Sequence, residues 1–115
     1  MPTLIDRLFP VALLVVSNIF MTFAWYGHLK FKSAPLFGVI LISWGIAFFE
    51  YCLAVPANRF GSAIYSAPQL KGMQEVITLI VFAAFSTFYL GQSLKWNHWA
   101  GFALIAVAAW LIFME

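Results

Sequence analysis

Charge is the property this chain is shortest of. Asp, Glu, Lys and Arg make up 9% of its 115 residues, against about 25% in ordinary soluble domains. The cations Arg7, Lys30, Lys32, Arg59, Lys71 and Lys95 are scattered and form no basic block. Without such a block there is nothing to track phosphates, so nucleic acid is not an expected partner. Cysteine is almost absent too. Cys52 stands alone, which rules out an intramolecular disulfide framework, and its apolar setting reads as that of a small buried hydrophobe.

The motifs of common chemistry are also lacking. There is no Gly-rich phosphate loop, no GxSxG elbow and no HExxH pair, and nothing marks the chain as an enzyme. His28 and His98 stand in separate connections with no cysteine or carboxylate at ligand spacing, so neither a metal nor another cofactor is expected.

What the chain has in excess is apolar surface. Hydrophobic residues are 64% and aromatic residues 19% of it. A globular domain of this size buries only about two-thirds of its unfolded surface, so much of this apolar material would face water. A lipid bilayer is the solvent that fits. Crossing a hydrocarbon core takes about 20 mostly apolar residues, and four segments qualify: 8–27, 35–55, 68–90 and 98–114. The expected fold is therefore all-α, a single four-helix transmembrane domain over residues 1–115. The basic start up to Arg7 followed by an apolar run has the outline of a secretory signal, but no small-residue cleavage pattern follows before Trp25 and Tyr26. It is read as a retained first helix.

The connection 56–71 leaves two alternatives. Residues from Ser62 to Ala67 suit a helix that would kink at Pro68, because proline removes a donor and crowds the preceding turn. A short turn followed by a helix starting near Pro68 suits them equally.

Alternating spans put Arg7, Arg59 and Lys71 on one side of the membrane and Lys30, Lys32 and Lys95 on the other. Three against three gives no positive-inside bias. Either one lysine, Lys71, belongs inside a helix and does not count, or the chain inserts in both orientations and pairs antiparallel with itself. Trp25, Tyr26, Trp96 and Trp99 flank the two connections assigned to one side and read as an interfacial aromatic belt.

Residues that carry chemistry inside a bilayer are few. Glu50 shares a helical face with Ser43, Ala47 and Ala54, a small-residue stripe suited to close helix approach. At about five residues from its segment's end it is placed roughly 7 to 8 Å below the interface. An ionisable group there is costly and marks a pathway, a proton relay or a structural pair, the last with Arg59 or Lys71. Glu75 enters from the same side and is expected either to pair with Lys71 one turn away or to converge on Glu50. In the first segment Asn18, Thr22 and Trp25 share a face, with Ser17 beside them; interhelical hydrogen bonding and a substrate cavity are both open to this face. Gly101, Ile105 and Ala108 share a face of the fourth segment that suits a contact within the chain or between subunits.

The order of segments resembles the drug/metabolite transporter superfamily, whose smallest members, the small multidrug resistance proteins among them, have four helices and about this length. The marks are Gly61-Ser62-Ala63-Ile64-Tyr65-Ser66-Ala67-Pro68, Tyr89-Leu90-Gly91-Gln92-Ser93-Leu94 with Ala100-Gly101-Phe102-Ala103-Leu104-Ile105, and above all Ala67-Pro68-Gln69-Leu70-Lys71 with Gln74-Glu75-Val76-Ile77-Thr78-Leu79. The last string is similar to an uncharacterised branch of compact bacterial members. The resemblance implies an antiparallel homodimer with fourth-helix contacts, in a bacterial inner membrane. Small multidrug resistance proteins carry a glutamate in the middle of the first helix, where this chain has Asn18, so that role is not carried over to any residue here. Two functions are weighed: a secondary transporter or exporter of a small metabolite or cation whose substrate is unknown, and a non-transporting protein that assembles with or modulates another membrane complex.

Overall fold

The computed structural model describes residues 2–114. Four helices carry the fold: α1 Leu4–Tyr26, α2 Leu36–Gly61, α3 Ala67–Phe88 and α4 Trp96–Ile112, with a 3-10 turn Gly27–Lys30 after α1. No strand occurs among the described residues. The first three helices are long and apolar enough to cross a membrane. α4 has 17 residues, about 25 Å at 1.5 Å per residue, which is the short end of the spanning range.

Each start has a local cause. Thr3 Oγ1 accepts from the Asp6 N–H while the Asp6 carboxylate accepts from the Thr3 N–H, a capping box that opens α1 four residues earlier than the apolar run suggests. Ser66 and Gln69 form the same reciprocal pair at the head of α3, at 3.2 and 3.0 Å. Pro68 falls in that first turn, where its missing donor costs nothing. The second alternative for this connection is therefore the one found: α3 begins at Ala67 with no kink at Pro68. At α4 the Lys95 N–H donates to His98 Nδ1 at 3.0 Å, which gives that imidazole a capping role.

The boundary of the second segment needs correction. α2 does not stop at 55 but continues through Pro56 to Gly61. Proline inside a membrane helix is tolerated where neighbours re-satisfy the freed backbone groups.

α1 is the central helix. α2 packs along one flank of it and α3 along the other, α4 packs on α3, and α2 and α3 share no extended contact. The layout is a row, α2–α1–α3–α4, with Cα extents of 52 × 34 × 19 Å. The α1-facing stripe of α2 runs Ser43, Ala47, Glu50, Ala54, Ala57 and Gly61, all half-buried or buried. Phe9 meets Phe60 and Phe20 stacks on Phe49, with ring centroids at 5.9 and 6.3 Å, which fixes the antiparallel register of α1 and α2. Gly61 sits at the tightest point. A Cβ there would lie 2.8 Å from Leu70 Cδ2 and 3.3 Å from Pro10 Cβ.

The alternation of ends follows the expected pattern. Tyr65 donates to the Arg7 carbonyl at 3.1 Å, joining the α2–α3 turn to the start of α1. At the other end Lys30 Nζ lies 4.4 Å from the centroid of the Tyr89 ring, joining the α1–α2 connection to the end of α3. One surface expectation changes. Cys52 is exposed rather than buried, because the close-packed stripe takes the other face of α2. Gly101 meets nothing within 4 Å, and Ile105 and Ala108 are exposed. Of the two contacts open to that face of α4, the one within the chain is not favoured, since the face is largely exposed among the described residues.

Candidate functional site

The middle of α1 is polar where its ends are not. Ser17, Asn18 and Thr22 are buried, and the directions of their hydrogen bonds follow from chemistry. Asn18 Nδ2 donates to the Leu14 carbonyl at 2.8 Å, so the amide's Oδ1 faces the other way, toward α3. There Thr78 Oγ1 donates to it at 2.5 Å. Thr22 Oγ1 donates to the Asn18 carbonyl at 2.7 Å, and Ser17 Oγ to the Leu14 carbonyl at 3.3 Å. No buried side-chain polar atom among the described residues is left without a partner, as the high cost of an unpaired group in an apolar medium requires. Thr78 is the partner that sequence reasoning missed. A single threonine in an apolar run carries no signal of its own, and only the register of α1 against α3 singles it out.

Beside this node a cleft of about 340 Å³ opens between α1 and α3, lined by Met21, Thr22, Trp25, Tyr26, Thr78 and Phe82. Tyr26 and Phe82 meet edge to face, their centroids 5.2 Å apart. Thr22 and Trp25 thus come together on the cleft, and Asn18 supports it from behind through Thr78.

Glu50 lies elsewhere. It stands on the α1-facing stripe of α2, on the opposite flank of α1 from the cleft. The Phe20–Phe49 stack puts it within about one helical turn of Asn18 along the axis. Because α2 runs on to Gly61, Glu50 is eleven residues from that end. This is roughly 16 Å along the helix axis at 1.5 Å per residue, so Glu50 lies near the middle of α2 rather than near its end. Neither candidate cation pairs with it: Lys71 Nζ is bound to Glu75 Oε1 at 2.8 Å, and Arg59, nine residues further along α2, is in its last turn and exposed.

Glu75 does not converge on Glu50, since α2 and α3 share no extended contact. Its pair with Lys71, one turn away on the same helix, is solvent-accessible on both sides, so it adds little to stability. Among the described residues no three His, Cys, Asp or Glu side chains come together as a metal site.

Long apolar helices, internally satisfied polar groups and a half-buried carboxylate midway along one of them define an integral membrane protein of the polytopic helical class. Residues 10–113 match the family described as "Putative member of DMT superfamily (DUF486)", and the chain belongs to that family. Searches of curated proteins and of solved structures returned no match.

Proposed function

We propose that the protein is a small secondary transporter that moves a small metabolite or cation across the bilayer, with Glu50 as its proton-coupling or cation-binding group. The observation that carries this reading is the position of Glu50: midway along an apolar helix, turned toward α1, and with no cationic partner among the described residues. Keeping an unpaired carboxylate inside a membrane costs a few kcal/mol, and such groups mark pathways and proton relays. Membership of a family placed in the drug/metabolite transporter superfamily supports transport rather than catalysis. The polar node at Asn18, Thr22 and Thr78 and the adjoining cleft give the reading a second element at about the same depth.

The functional unit we propose is an antiparallel homodimer in a bacterial inner membrane. The balanced basic residues on the two sides and the thin row of helices support it, as does the largely exposed face of α4 at Ile105 and Ala108. The alternative, a non-transporting partner of another membrane complex, draws on the same exposed face of α4. Flux measurements separate the two. Purified protein in liposomes under a pH gradient should drive uptake or efflux of a small solute, and Glu50→Gln should abolish it without preventing assembly. Flux at the level of empty liposomes across a panel of small metabolites and cations would favour the alternative.

A further inference from the structure

In the cleft between α1 and α3, the donor and acceptor balance of the two threonine hydroxyls is fixed by their hydrogen bonds. Thr78 spends its only proton on Asn18 Oδ1 and Thr22 spends its own on the Asn18 carbonyl. A hydroxyl has one proton and two acceptor lone pairs, so after these bonds each threonine oxygen has only acceptor capacity left. The Asn18 amide cannot be turned over to change this, because its Nδ2 is held by the Leu14 carbonyl. Of the two threonines Thr78 is half-buried and Thr22 is buried, so Thr78 is the one a ligand reaches. The other walls are the rings of Trp25, Tyr26 and Phe82 and the thioether of Met21. No carboxylate and no cation lines the cleft, and Glu50 stands on the far flank of α1.

We propose that this cleft binds small organic cations that lead with N–H donors, protonated amines in particular, and discriminates against ions of equal charge that have no N–H. A protonated amine has donors and no acceptor at its head, which is the complement of the Thr78 oxygen. Aromatic faces stabilise its charge where no carboxylate does. An ion without N–H keeps the aromatic contribution but makes no hydrogen bond to the Thr78 oxygen. This inference rests on the transporter reading only for its biological use, since the selectivity is a property of binding.

The test compares n-butylammonium with tetramethylammonium, constitutional isomers of identical charge, of which only the first has N–H donors. Binding of each to the purified protein in detergent is measured by calorimetry. The expected result is about tenfold tighter binding of n-butylammonium, the scale of a hydrogen bond to a charged group. The double variant Asn18→Leu/Thr78→Val removes donor and acceptor together and so leaves no orphaned partner. It should reduce the preference, taken as the ratio of the two affinities, to less than threefold, and Thr78→Ser, which keeps the hydroxyl, should preserve the preference.

Equal affinities in the parent protein, a preference that survives the double variant, or no binding of either ion would overturn the proposal. Flux without any N–H preference would sink this proposal and leave transport standing. Selective binding without flux would do the reverse.

Discussion

Asn18 Oδ1 accepts the hydroxyl proton of Thr78 at 2.5 Å, joining two helices across sixty residues of sequence. The bond holds α3 against the central helix near the middle of both. Thr78→Val should leave the Asn18 oxygen unpaired and lower stability by about 1–2 kcal/mol, and Asn18→Leu should do the same to the threonine. The double variant should lose less than the sum, with a coupling of roughly 0.6 and at most about 1.7 kcal/mol. Unfolding of the four proteins in bicelles measures this cycle, and strictly additive losses would show that the bond contributes nothing.

Gly61 should be the least substitutable glycine of α2. An added Cβ meets Leu70 Cδ2 at 2.8 Å and Pro10 Cβ at 3.3 Å. The leucine carbon ends a flexible side chain and can turn away, but the proline ring cannot, so Gly61→Ala is expected to cost about 1–3 kcal/mol as an overpacked contact. Gly45, on the same helix, faces open space. Gly45→Ala should be neutral or stabilising by up to about 1 kcal/mol through helix propensity. Melting temperatures of the two variants in one detergent give the comparison, and equal values would contradict the close approach of α1, α2 and α3 at this corner.

Membrane orientation should be mixed. Arg7, Arg59 and Lys71 balance Lys30, Lys32 and Lys95, and the contacts Tyr65–Arg7 and Lys30–Tyr89 hold the two groups at opposite ends of the bundle. C-terminal reporters specific for each side should both be active, and one extra lysine in the connection 31–35 should drive the population to a single orientation. A parent chain found on one side only would end the dual-insertion account.

Much of the architecture was legible because a bilayer imposes a simple rule: apolar stretches of spanning length become helices. The α2 stripe was readable from Ser43 through Ala54 because small residues recur there at helical spacing. Its continuation to Ala57 and Gly61 was obscured by Pro56, whose usual effect as a helix breaker is weakened in this setting. The start of α3 is open between two alternatives from the sequence, and what settles it is the capping box of Ser66 and Gln69, three apart, a signature not used in the sequence reading. The candidate site was only half legible. Asn18 and Thr22 stand out as polar residues in an apolar helix, but the order of packing, with α1 between α2 and α3, depends on side-chain fit that no periodicity encodes. That order separates Glu50 from Glu75 and brings Thr78 to Asn18.

The central claim is that Glu50 does chemistry rather than only support the bundle, and Glu50→Gln tests it most directly because it keeps size and most hydrogen bonding while removing the titratable charge. Flux under a pH gradient and melting temperature are measured on the same liposome preparations, with a panel of small metabolites and organic cations that includes n-butylammonium. Wild type should move at least one of these, and the glutamine variant should melt within a few degrees of it and show no gradient-driven flux. Undiminished flux in the variant, with or without a lowered melting temperature, would contradict the account.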